Sequence, residues 1–458
     1  VQMEIVPNNA DERTPVVLVA GLDPDAVART AGSLVTSGTT LVHHDLSALE
    51  AGMVRRTLRT VDADGNERIH QTTVCLEHGC VSCTLRNDLL PLLRHLHRRT
   101  AVRRIVLQLD CSLEPEALAF AIQNAVVSDM PGFTDAPAGV DVRIDATIAC
   151  IDETTWLDSA TGDATMAELG LSATVDGGDE RTLAQVAVGQ VAFADALVIV
   201  GCESTGHDAW QSARLSAVLK RLTPKAPTMM ELPHRAHGGE APLRPMTPTL
   251  AAQLLAAVPP GSRRGRIDES HDPLLRYEPP LESDCGVELF TFEADRPFHP
   301  ARLHEAIDHL LEGVVFARGR MWLATQPDRA LWMESAGGGL RVAEGPTWLA
   351  AMTDAELTTV DPERRALAAL LWDEAHGDRH TSLAVLAHRP EQPDEIRRAL
   401  DDACLTDAEM AMGQRSWMHF DDPFGLAHTD PCDDLPQTHD DGLAHQDGGE
   451  QSFREDNR

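Results

Sequence analysis

Apolar residues in this chain fall into two kinds of run. Short, mostly apolar runs at residues 15–21, 104–109, 146–151 and 196–201 have the length and β-branched content of strands buried on both faces. Between them the apolar period lengthens. Leu89, Leu92, Leu93 and Leu96 share a helical face, as do Ala117, Phe120 and Ala121, and then Leu215, Val218, Leu219 and Leu222. Strands alternating with helices predict an α/β domain over residues 14–235, a parallel sheet covered by helices. The pattern changes near Val287. Residues 288–293 alternate as a strand, 300–311 read as a helix, and 320–324 and 329–334 read as antiparallel strands. A helix near 363–373, a strand at 382–387 and a helix at 394–403 complete a smaller α+β domain over 286–420. Residues 236–285 are dense in Pro and Gly and predict a linker carrying one short helix. Residues 1–13 are expected to be flexible. Residues 421–458 are polar and acidic and are expected to form a disordered tail.

Composition narrows the function classes. The chain has 458 residues and a net charge of −33, which argues against non-specific binding to nucleic acid phosphates and favours a basic protein partner. No apolar run reaches the roughly 18–20 residues that span a bilayer, so no membrane role is expected. The first residues lack the basic and apolar segments of a secretory signal, and a cytoplasmic location is expected. Nine cysteines in so long a chain are not a disulfide framework. Cys150, Cys202, Cys285, Cys404 and Cys432 are isolated and read as small buried hydrophobes or inert thiols.

Cys75, Cys80 and Cys83 cluster, with His78 between them. Thiolates at that spacing can hold one soft metal ion such as zinc or enter redox chemistry. Cys80 and Cys83 are the stronger candidate ligands, and Cys75 joins them. The other histidine groups, His43/His44, His95/His97 and His428/His439/His445, read as solvated surface residues; positions two apart on a helix point in different directions. A turn after the first strand is where a phosphate-binding loop would sit. Here it carries Asp23, Pro24 and Asp25, which read as an acidic helix cap: the carboxylates occupy the field a phosphate would use, and Pro24 removes an N–H donor.

The segment Gly79-Cys80-Val81-Ser82-Cys83-Thr84-Leu85-Arg86-Asn87-Asp88-Leu89 resembles the signature of CobW-like P-loop GTPases, the zinc metallochaperone family, with Ser82 where the middle cysteine stands. Residues 296–303, 317–325, 377–379 and 400–410 resemble the CobW C-terminal domain, so the likeness runs over about 14–420. It implies a nucleotide site, and this chain departs from it. Gly21 matches the first loop glycine, but the family's lysine and hydroxyl positions fall on Val27 and Ala28. Of the guanine-recognition motif only an acid remains, Glu203; Asp110 or Glu114 stands where a cation could be held. Gly21 and Glu203 are therefore candidate residues of an eroded nucleotide site, and GTPase activity is expected to be weak or absent. Residues 14–21, 79–89 and 92–98 resemble one actinobacterial branch of the family. That likeness implies an adaptor that recruits a ribosome hibernation-promoting factor to the 70S ribosome under zinc limitation, through protein contacts, with a zinc-sensing Cys-x-x-Cys site. The alternatives are a GTP-dependent zinc metallochaperone and a zinc- or redox-sensing regulator with no ribosomal role.

Overall fold

The structure is a computed structural model that describes residues 11–62, 64–75, 84–171, 179–201, 208–231, 246–268, 271–389 and 392–425. Val1–Pro423 make one compact unit. Its first sheet has eight strands in the order β10-β9-β8-β1-β5-β2-β3-β4. The strands are β1 (Thr14–Gly21), β2 (Thr39–Asp45), β3 (Met53–Val61), β4 (Glu67–Cys75), β5 (Arg104–Gln108), β8 (Val142–Asp152), β9 (Ala196–Val200) and β10 (Thr228–Glu231); β6 (Val126–Val127) and β7 (Ala136–Pro137) pair apart as a small ribbon. The central pairs β1–β5, β1–β8, β2–β5, β8–β9 and β9–β10 are parallel, while β3 and β4 fold back antiparallel as an edge meander.

Burial on both faces explains the mostly apolar runs. Successive side chains of β1 point to opposite faces. Val17 and Val19 join a core with Val27 and Ala31 of helix α1 (Pro24–Ser33). Leu18 joins a second core with Leu93 of α2 (Leu90–His97) and Ile122 of α3 (Pro115–Asn124). The inward stripe of α3 is Leu118, Ala119 and Ile122, so Phe120, expected on the core face, is instead 58% exposed. Helices α4 (Trp156–Ser159), α5 (Leu183–Ala192) and α6 (Ala209–Leu222) complete that side of the layer.

The second sheet is antiparallel in the order β11-β15-β12-β13-β14, built from β11 (Glu288–Ala294), β12 (Val314–Met321), β13 (Arg329–Ala336), β14 (Gly339–Thr347) and β15 (Thr381–Ala387). Strand β12 starts earlier than its apolar pattern suggests. Gly319 lies so near β15 that a side-chain carbon there would stand 2.1 Å from the Ser382 carbonyl, a separation only glycine avoids. The sheet carries α8 (Pro300–Leu311) and, after α9 (Pro362–Leu370), α10 (Gln392–Ala403). The two sheets share one apolar core, in which Val188, Leu215 and Ile199 cluster with Leu289, Phe316 and Leu386.

The Pro/Gly-rich segment between the sheets packs on the fold at several points of its described length. Helix α7 (Pro248–Ala257) sits against α1 through Ala251 and Leu254. Beyond it, the Arg264 amide donates to Asp195 Oδ1 (2.9 Å), Gln123 Nε2 donates to the Gly265 carbonyl (2.7 Å), and Leu274 enters the shared core. Side chains contribute as well, with Arg264 Nη1 donating to the Asp145 carbonyl (2.7 Å). Among the described residues no helix is long and apolar enough to cross a membrane.

A hydrogen-bond pair also joins the two halves. Arg214 of α6 donates to the carbonyl (2.7 Å) and to the ring Nδ1 (2.8 Å) of His388, just after β15. Burial first, then the cations Arg214 and Arg389, hold this imidazole down at about 4 from its usual 6.5. The folded state keeps the ring neutral while the unfolded chain takes up a proton, so this contribution to stability falls as pH drops from about 6.5 towards 4. Urea midpoints followed across that window should decline, and His388→Asn should decline less steeply; parallel slopes would exclude the assignment.

Candidate functional site

Topology gathers the candidate residues along one border of the first sheet. In parallel α/β sheets the strand C-termini form the ligand edge. Gly21 ends β1, Gln108 ends β5 and Asp45 ends β2; the antiparallel turns then bring Met53 and its partner Cys75 to the same border. Cys75 is four strands from Gly21, so at about 4.8 Å per strand the two stand on the order of 19 Å apart. Cys75 is a free, exposed thiol at the end of the edge strand. Cys80, Cys83, His78 and Glu203 lie outside the described residues, as do His428, His439 and His445. Among the described residues no three His, Cys, Asp or Glu side chains are grouped to hold a metal. The donor set itself, three thiols with Cys75 accessible, suits a zinc ion.

Directly after the cysteine motif stands a buried carboxylate. Thr84 opens a π-helical turn, Leu85–Leu89, a form often found beside functional sites. Within it Asp88 is 9% exposed. Its carboxylate accepts from His44 Nε2 (2.7 Å) and from Arg56 Nη1. The register pairs His44 of β2 with Arg56 of β3 directly across the strands, which puts both side chains on one face, over Asp88. His44 is therefore buried and paired, not the solvated residue its sequence context suggested. Composition concealed the clamp: β2 reads as a mixed polar run, and the strand that aligns His44 with Arg56 is visible only in the sheet.

At the other end of the border, the loop after β1 is filled from within. Asp23 caps α1 by accepting from the Asp25 amide (2.9 Å), and Pro24 at the first turn has no N–H to offer. A side-chain carbon on Gly21 would meet the Cys150 carbonyl at 2.6 Å and Val27 Cγ2 at 3.0 Å, so this glycine serves close packing of β1 on β8. Val27 is 1% exposed. Arg29 pairs with the buried Glu231 at the end of β10 (3.3 Å), and the buried Thr30 hydroxyl accepts from the Cys150 thiol (3.3 Å). Both side chains that could have reached a phosphate are thus engaged elsewhere. A triphosphate cradle needs free amides, a lysine and a metal-binding hydroxyl; residues 21–30 hold no lysine, Pro24 has no N–H, the Asp25 amide donates to Asp23, and the Thr30 hydroxyl is taken by Cys150. The two carboxylates that could have held a cation are engaged as well. Asp110 accepts from the Ser112 amide (3.0 Å) and hydroxyl (2.7 Å), and Glu114 accepts from Arg181 Nη1 (2.5 Å).

The isolated thiols in the described residues are poorly suited to chemistry. Burial pushes Cys150 and Cys404 up to about 12, and burial with the neighbouring Asp110 carboxylate pushes Cys111 to about 11. A thiol held that high is not a thiolate near neutral pH.

Residues 38–230 match the CobW/HypB/UreG nucleotide-binding domain, and residues 287–404 match the cobalamin synthesis protein cobW C-terminal domain. A Mycobacterium tuberculosis protein named a zinc chaperone is 44% identical over 439 residues, which cover 96% of this chain and 99% of the relative. The chain belongs to the CobW family. A more distant relative in Dictyostelium discoideum, named zinc-regulated GTPase metalloprotein activator 1, is 22% identical over 74% of this chain and 68% of its own length. The crystal structure of the Zn(II)-bound YjiA GTPase from E. coli aligns over 86% of this chain and 99% of its own at 14% identity, with a TM-score of 0.32, too loose an overlay to compare sites. The match of this CobW-family chain to the nucleotide-binding domain begins at residue 38, after the loop at residues 21–30.

Breaking the clamp beside the cysteine motif should be costly, because it leaves His44 and Arg56 facing a buried gap. Asp88→Ala is expected to lose about 3 kcal/mol of unfolding free energy. Urea denaturation measures it; a loss below about 1 kcal/mol would mean the pairing is incidental.

Proposed function

We propose that this chain is a zinc-responsive adaptor of the CobW family. Zinc is held by Cys80 and Cys83 with Cys75, and the loop after β1 no longer drives the protein by GTP hydrolysis. The observation that supports this most is the filling of that loop by Val27, the Asp23 cap and the Arg29–Glu231 pair, while a free thiol stands at the far end of the same sheet border. Bound zinc would tie the segment after β4 to the turn that Asp88 anchors. In its finer form, the reading is recruitment of a ribosome hibernation-promoting factor to the 70S ribosome under zinc limitation. A chain at −33 is repelled by rRNA, so such contacts run through basic proteins. A second reading, a GTP-dependent zinc metallochaperone, is favoured by the name of the 44%-identical relative.

Three measurements separate these readings. Cys80→Ser and Cys83→Ser are each expected to abolish stoichiometric zinc in the purified protein, and unchanged zinc in both would remove the site. Calorimetry is expected to find no saturable GTP binding; tight binding would restore the metallochaperone. Sedimentation with 70S ribosomes and hibernation-promoting factor, with and without zinc, is expected to bring the protein down in one condition, and failure in both would end the adaptor reading.

A further inference from the structure

Among the described helices of nine or more residues, α9 (Pro362–Leu370) alone buries none of its residues. Nine-residue helices are marginal in water unless one face is packed. This one is held at its start and on one flank. Asp361 caps it by accepting from the Glu363 amide (2.7 Å), and Arg364 donates to the Thr347 carbonyl of β14 (2.6 Å). Its apolar face is uncovered. Leu367, Leu370 and Leu371 sit at helical spacing on one side, at 44%, 81% and 52% exposure, and Trp372 follows at 53%. Most exposed apolar residues are scattered and need no explanation, but a contiguous group of three leucines and a tryptophan on one ridge marks an interaction surface.

The rim of the ridge indicates what covers it. Asp361 and Glu363 flank its start, Asp373 and Glu374 its end, and Asp354 and Glu356 lie on the preceding turn. The basic residues between positions 354 and 374 are Arg364, which is bonded to Thr347, and Arg365. Backbone amides of Ala375 and His376 hold the Asp373 carboxyl below its usual range, so it stays ionised. An apolar ridge with an acidic border is complementary to an apolar patch with a basic border. A second copy of this chain would bring acid against acid.

We propose that the ridge Leu367–Leu370–Leu371–Trp372 is the surface on which this protein docks a basic protein partner through an apolar patch. This rests on the adaptor reading above and assigns its contact surface. The test is sedimentation with 70S ribosomes and hibernation-promoting factor, using the full chain, a Leu370→Ser/Leu371→Ser variant and Phe120→Ser as a control for loss of an exposed apolar residue elsewhere. The ridge variant should bind at least about tenfold more weakly, equivalent to about 1.4 kcal/mol. Zinc content and urea midpoint should be unchanged, and the control should bind as the parent does. Added salt should weaken the parent's binding. Equal binding by parent and ridge variant overturns this assignment and leaves the adaptor reading standing. Failure of the parent to bind overturns both. A parent that light scattering shows to be a dimer, and that the ridge variant makes monomeric, assigns the ridge to a second copy and overturns the proposal.

Discussion

Burial of both faces of the central parallel strands is the constraint on which the rest of this molecule depends. Leu18 and Val17, adjacent in sequence, end in different cores, and each core recruits its own helices. Fixing the strands this way fixes their ends, and the ends carry everything of chemical interest. The same rule operates once more where the two sheets meet: the side of the layer holding Ile199 and Leu215 is closed by Leu289, Phe316 and Leu386 of the antiparallel sheet. Two domains by pattern therefore form one compact unit.

Along the sheet border the two ends have diverged. One end retains the shape of a nucleotide-binding fold, strand to turn to helix, but its interior is occupied by side chains of the chain itself. Val27 fills space where a charged side chain would project, and Arg29 and Thr30 satisfy buried groups on neighbouring strands. The other end has an accessible thiol and, at the far side of the cysteine motif, a buried carboxylate gripped by two strands. The scaffold thus fills the loop after β1 from within and leaves the thiol at the other end of the border exposed.

Much of this was legible in the order of residues. Mostly apolar runs gave the parallel strands because a doubly buried strand has no polar face. The turn at Asp23-Pro24-Asp25 announced an acidic cap, and the structure has one. Less was legible where backbone groups or partner strands decide. Strands β3 and β4 are largely exposed or half-buried, and β2, though mostly buried, carries Thr and His, so no period marks them. The segment read as a linker is held by contacts to residues far away in the chain, such as Asp195, Gln123 and Asp145, which composition does not report.

What the sequence by itself determined is local: which stretches are strands and helices, which residues could bind metal, and which phosphate-binding groups are missing. Those follow from side-chain chemistry and short-range spacing. Only the tertiary structure decided that His44 and Arg56 share a face over Asp88, that Arg29 is spent on Glu231, and that α9 keeps its leucines uncovered. Each of these depends on residues far apart in the chain or on strand register, and a register is set by the packing of whole elements.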